Sequence, residues 1–203
     1  FPRFILAEFN THRVFSRNFR SSRAVPVKKL IEEVRNKPYE PLVWLKNKPG
    51  MQGGESMTTN EINYARSIWL QGAKNSADIA EQLASCNLHK QWANRGLEPY
   101  LYVHGVVTAT EWSNFFALRC HPDAQPEMRA LADAIFIAMT GSEPQYLDID
   151  QWHLPYVNIE DIVKFGGTRP FGPDWPPRKM SVARCARVSY LTQEGKPPKV
   201  EDD

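Results

Sequence analysis

Four arginines, three serines, a histidine and an asparagine fall within residues 12–23, HRVFSRNFRSSR. Guanidinium forks in such a segment neutralise phosphate, while hydroxyls and backbone N–H groups fix the position of the anion. The spacing H-R-x-x-S-x-N-x-x-S-x-R is more specific than a generic basic run. A second group of residues with chemical potential begins at Arg95 and Pro99, crosses an alternating stretch, and continues through Asn114, Arg119 and Glu127. Asn114 and Arg119 are five residues apart, about 140° around a helix, and a helix ending near Arg119 lets both address one cleft.

Other chemistries find little here. His12, His89, His104, His121 and His153 show no H-E-x-x-H or comparable metal spacing, so no metal site is expected. The G-x-S-x-G, Walker and G-x-G-x-x-G motifs are missing. Cys86, Cys120 and Cys185 lie far apart with no C-x-x-C, which argues for a reducing, cytoplasmic setting without structural disulfides. Nothing around Cys185 marks it as a nucleophile.

The chain has 203 residues, 42% hydrophobic and 24% charged, a globular balance. Its formal net charge of +2 does not call for a general nucleic-acid surface. Charge is uneven, however: residues 1–37 carry nine Lys/Arg against three acids. Composition alone reads that as a local anion site or as a solvated basic face. No apolar run is long enough to span a bilayer, and no membrane partner is expected. The chain starts at Phe1 and stops in PPKVEDD, so both ends read as cuts in a longer protein.

These residues need elements to position them. Residues 2–12 read as a short helix, with a strand as the alternative. Val27, Leu30, Ile31 and Val34 form an i, i+3, i+4, i+7 stripe behind Pro26, a helix. Residues 37–57, rich in Pro and Gly, read as a loop able to lie over a site. Thr58 and Glu61 offer a capping box for a long helix reaching about Cys86, followed by a second helix over 88–94. Residues 100–109 alternate and read as the best strand. Helices are expected at 111–119 and 124–140, the latter with Met128, Leu131, Ile135 and Met139 inward. Residues 141–180 look irregular, and Ser181 is a cap for a last helical turn. The expected architecture is α/β (α+β), a small antiparallel sheet flanked by helices, in one domain over 1–203 that is incomplete at one or both ends.

The 12–23 spacing resembles the signature loop of flavin-dependent thymidylate synthases (thymidylate synthase complementing proteins). The Arg95-x-x-x-Pro99 block, Asn114-x-x-x-Leu118-Arg119 and Ala124-Gln125-x-Glu127 resemble a second block of that family, in the right order. A third stretch, SVARCARVSY over 181–190, resembles a segment that usually opens those enzymes; here it lies near the C-terminal end, an order that looks like a circular permutation. There are departures. Thr11 stands where the family has an arginine, Phe19 where it has an acid, and Ala24 where it has a tyrosine. Thr108 and Thr110 replace Asn and Arg, Asp123 replaces a histidine, and the G-H-x-[ST]-P-F-E-H flavin motif is not in this sequence.

The resemblance implies an enzyme that methylates dUMP to dTMP with methylenetetrahydrofolate as carbon donor, FAD as hydride carrier and NADPH as reductant. It also implies a homotetramer with shared active sites. Residue by residue, it implies that Arg119 faces and activates the uracil. Glu8, Arg20, Ser21, Ser22, Arg23 and Arg95 would hold the nucleotide, chiefly its phosphate. Thr11, His12, Arg13, Asn18, Thr108, Thr110, Asn114 and Ser189 would line the flavin, with Trp112 beside Asn114 near its ring. Two alternatives accompany this expectation: a flavin- and folate-dependent pyrimidine nucleotide hydroxymethylase, and a non-catalytic nucleotide-binding homologue.

Overall fold

The computed structural model describes residues 1–149, 151–167 and 174–188. Its only sheet among those residues has two strands, β1 (Ser16–Phe19) and β2 (Gly105–Thr108), paired antiparallel from Ser16 opposite Thr108 to Phe19 opposite Gly105. The pairing explains Gly105. A Cβ there would collide with the Phe19 ring and the Asn18 carbonyl, so only glycine lets the strands approach.

Helices surround this ribbon. A 3₁₀ turn over Arg3–Ile5 runs into the short α1 (Leu6–Phe9). Then come α2 (Val27–Asn36) and the long α3 (Thr59–Ser85). The expected capping box starts α3: Thr58 N–H donates to Glu61 Oε2 at 2.7 Å, and Glu61 N–H donates to Thr58 Oγ1 at 3.4 Å. Leu30, Ile31 and Val34 of α2 share a buried cluster with Ala73, Ala77 and Ala80 of α3, Val25, Leu97 and Leu101. Three alanines on the α3 face let the helices pack closely without large side chains between them.

After α4 (Lys90–Ala93) the chain turns through a second 3₁₀ segment, Arg95–Tyr100, into β2. Next follow α5 (Ser113–Arg119) and α6 (Pro126–Thr140). Their inner faces build a second cluster, in which Ile5, Phe9, Phe15, Phe115, Met128 and Ala132 are buried. The last described elements are α7 (Ile159–Phe165) and α8 (Pro176–Arg187).

Several expectations shift. The alternation over 100–109 yields a strand only from Gly105. Leu101 and Val103 do point inward, but their backbones bond to the chain start: Arg3 N–H donates to Leu101 O and Val103 N–H to Phe1 O, each at 2.8 Å. The basic loop contains β1, a strand whose sequence SRNF lacks apolar alternation and which forms because β2 offers it a ladder. The helix expected over 88–94 shortens to one turn. The expected irregular stretch 141–180 contains α7, capped by Asn158 and Asp161 in a reciprocal box. Ser181 caps nothing; it lies inside α8, which starts at a proline pair, and its hydroxyl donates to Pro155 O at 2.8 Å. Along α6, Met128 is fully buried, Leu131 and Ile135 are partly buried, and Met139 is exposed.

Candidate functional site

Arg119, the last residue of α5, meets α1 and the turn after it. Its Nη1 donates to Glu8 Oε1 at 2.5 Å, and its Nε donates to His12 Nε2 at 3.0 Å. The second bond needs an unprotonated Nε2, so the imidazole is neutral with its proton on Nδ1. Its surroundings agree. Burial first, then the Arg119 guanidinium, push the His12 value below the ordinary histidine range; Glu8 opposes and Arg17 adds to the fall. The ring lies edge-on to Phe115, with centroids 4.9 Å apart, and stacks on Phe15 at 5.8 Å. Aromatic packing therefore fixes the imidazole, the imidazole aims the guanidinium, and Glu8 balances its charge.

Glu8 and Arg119 line a cavity of about 750 Å³. Its other walls are residues 122–126, which lead into α6, and Leu45, Met51, Gln52 and Gly53 from the segment expected to overlie a site. The geometry suits a ring of donors and acceptors: a guanidinium edge and a carboxylate edge side by side in a half-enclosed space.

The other expected site residues are distributed around this centre. Thr11 is exposed and its hydroxyl donates to Glu8 O at 2.7 Å, closing α1. Arg13 and Arg23 are exposed. Arg17 is a clamp on the turn before β1: it donates to Asn10 Oδ1 at 2.6 Å, Asn10 O at 3.0 Å and Phe15 O at 2.7 Å. Arg20 makes a two-pronged pair with Glu33 on α2, at 2.9 and 2.6 Å. The Ser21 hydroxyl accepts from Arg23 N–H at 3.3 Å.

Ser22 is buried, and its hydroxyl donates to Glu98 Oε1 at 2.6 Å. The same oxygen accepts from Arg95 Nη1 at 2.9 Å and lies 3.2 Å from Arg3 Nε. Burial raises the Glu98 value, but Ser22, Arg3 and Arg95 together outweigh it and leave the carboxyl below the ordinary range. Ser22 and Arg95 thus meet, through a carboxylate that the sequence reading did not single out.

Asn18 lies on β1, and its amide donates to Cys185 O at 2.8 Å and Ala186 O at 2.9 Å, carbonyls of the last turn of α8. With Thr108, Arg17 and Ser16 it lines a second cavity of about 540 Å³ between the ribbon and α8. Thr110 and Asn114 are exposed, Asn114 in the first turn of α5. Ser189 lies outside the described residues. Trp112 stacks on Phe116 and packs against Phe15. Among the described residues, no group of three or more His, Cys, Asp or Glu is placed to hold a metal ion. No helix among them is long and apolar enough to cross a membrane.

Fold and cluster define a helix-rich protein with an antiparallel two-stranded ribbon at its centre and an arginine–carboxylate–histidine group beside it. The chain belongs to the thymidylate synthase complementing protein family, whose model matches residues 1–145. Among solved structures, the UMP/dUMP methylase PolB from Streptomyces cacaoi bound with 5-Br UMP superposes with a TM-score of 0.53 at 19% identity. That match covers 69% of this chain and 65% of that one. The same enzyme bound with 5-Br dUMP gives 0.51 at 21% identity, over 69% and 62%. The flavin-dependent thymidylate synthase ThyX from Helicobacter pylori, complexed with FAD and dUMP, aligns at 0.45 and 22%, over 70% and 64%. The chain therefore spans less than two thirds of the length of each of these structures. A search of the curated proteins finds no match.

Proposed function

We propose that this chain is part of an FAD-dependent thymidylate synthase, which methylates dUMP to dTMP with methylenetetrahydrofolate as carbon donor and NADPH as reductant. The observation that carries the reading is the Glu8–Arg119–His12 cluster on the wall of the 750 Å³ cavity, in a chain of this family. Arg119 meets the uracil and favours its N3-deprotonated form, because a guanidinium stabilises charge that develops on the ring. Neutral His12 holds the guanidinium in that orientation. Polarising the base is sufficient; no enzyme nucleophile is required. Ser21, Arg23 and Arg95 are assigned to the nucleotide phosphate; Ser22, buried with its hydroxyl on Glu98, shapes the loop instead of meeting the anion, while Glu8 stays with Arg119 and Arg20 with Glu33. The homotetramer with shared sites belongs to the same proposal.

The cavity between β1, β2 and α8 fits the polar edge of a flavin. The Thr108 hydroxyl both donates and accepts, and Asn18 keeps Oδ1 as an acceptor while its amide holds α8. Asn18 and Thr108 line this cavity; Thr11, His12, Arg13, Thr110 and Asn114 lie outside its lining, and with Ser189 they are assigned to the flavin on the family resemblance alone. When bound, FAD supplies the hydride that completes the methyl group. The residues of this chain bind, orient and shield the reactants.

The test is the visible absorbance spectrum of the full-length protein with and without dUMP, followed by mass analysis of the product. Flavin bands that shift on dUMP addition and a product one methyl group heavier support the reading. A hydroxymethyl product replaces it with the hydroxymethylase. A colourless protein that FAD does not load, yet which binds dUMP, replaces it with the non-catalytic homologue. UMP belongs in the same assay, because a UMP/dUMP methylase shares the fold.

A further inference from the structure

Residues 37–57 form an arm rather than an unstructured loop. Leu45 bridges Ser56; Met57 N–H donates to Trp44 O at 3.0 Å, Lys46 N–H to Glu55 O at 2.9 Å, and Gly54 N–H to Lys46 O at 2.8 Å. The far end of this arm carries Met51, Gln52 and Gly53 to the Arg119 cavity. Its root is Tyr39, whose main chain is held on both sides. Tyr39 N–H donates to Tyr100 O at 2.8 Å, and Tyr39 O accepts from Trp69 Nε1 at 2.7 Å.

The Tyr39 side chain runs in the other direction. It is 2% exposed, and its hydroxyl donates to Glu127 Oε1 at 2.6 Å. Glu127 is 7% exposed, and the same oxygen lies 3.4 Å from Leu42 N–H, the first stretch of the arm. Burial, then the bond to Glu127, push the phenol well above its ordinary value, so it remains a donor. Glu127 follows directly on residues 122–126, the opposite wall of the cavity. A buried carboxylate with two donors from the arm root is therefore the link between the two walls.

We propose that Tyr39 and Glu127 are positioning residues for the nucleotide: their bond sets the arm at a fixed distance from the start of α6, and so sets the shape of the Arg119 cavity. The inference rests on reading that cavity as the dUMP site. Neither residue touches the reacting atoms. Their effect is on how tightly the cavity closes on a ligand, and it falls on binding more than on turnover.

The experiment compares the flavin-loaded full-length protein with its Tyr39→Phe and Glu127→Gln variants, by steady-state kinetics with dUMP and by hydrogen exchange over residues 42–57. Tyr39→Phe should raise KM for dUMP about tenfold, the equivalent of one buried hydrogen bond, with faster exchange in the arm. Its kcat should stay within about twofold. Glu127→Gln keeps an acceptor for the hydroxyl and should behave like the parent. If Tyr39→Phe does not fold, Glu127→Leu takes its place: it removes the acceptor of the same bond from the α6 side and should raise KM in the same way. Faster arm exchange with unchanged KM overturns the inference and leaves the synthase reading standing. A parent protein that neither turns over nor binds dUMP overturns that reading, and the inference with it.

Discussion

Arg119 donates to two acceptors of different character, the Glu8 carboxylate and the His12 imidazole. This arrangement yields two expectations at the residue scale. Arg119→Ala should abolish product formation while circular dichroism stays at the parent signal, since Arg119 belongs to neither buried cluster; retained turnover would break the assignment of its role. The second concerns pH. The folded value of His12 lies below the ordinary histidine value of 6.5, so the unfolded chain binds more protons in the window between the two. Stability from this residue is fully present above 6.5 and falls as pH drops through that window. Denaturant midpoints measured on either side of it should differ in that direction, and the difference should shrink in His12→Gln. Arg23→Ala tests the phosphate assignment: dUMP binding should weaken by about 1.5–3 kcal/mol, as for a lost charge-assisted hydrogen bond, in a calorimetric titration.

At the scale of elements, the contact between β1 and α8 joins parts of the chain 167 residues apart through one amide. Asn18 donates to two carbonyls in the last turn of α8 and so ties that helix end to the ribbon. Asn18→Ala should therefore speed amide exchange in α8 and leave α2 and α3 as protected as before. Equal protection in α8 would mean that other contacts, among them Ser181 to Pro155 O and Arg184 to Asp161, suffice to hold it. The start of α3 depends on Thr58, and Thr58→Ala should lower stability by about 1 kcal/mol.

At the scale of the whole molecule, the described residues form two buried apolar clusters, and the chain start stitches them together. Phe1 packs on the second cluster and its carbonyl accepts from Val103, while Arg3 N–H bonds Leu101 of the first. The Tyr39–Glu127 bond makes a further link between the α2–α3 side and α6. The clusters should unfold together. Leu97→Ala, at a fully buried position in the first cluster, should cost roughly 2–5 kcal/mol. Tryptophan fluorescence, with Trp112 beside the second cluster, and far-ultraviolet circular dichroism should report one coincident transition in that variant. Separate transitions would show that the links are weaker than the packing they join.

The residues along the chain were enough to determine the family resemblance, the helix over 27–34 and the capped long helix, because these depend on local spacing and on residue types with few substitutes; the resemblance assigns Arg119, Glu8 and His12 separate tasks, and only the fold brings them together. Local composition also marked 37–57 as a segment able to lie over a site, since its prolines and glycines preclude a helix. Tertiary structure alone decided the rest. β1 has no apolar alternation and exists only against β2. Leu101 and Val103 satisfy their backbones at the chain start instead of extending the ribbon. Ser22 and Arg95 meet on Glu98, which reads in sequence as one more surface acid until a buried hydroxyl and two guanidiniums surround it. Tyr39 and Glu127 are 88 residues apart, and no local pattern announces their bond. Each of these depends on contact between distant segments, and a buried polar group reveals its partner only when the fold removes water from around it.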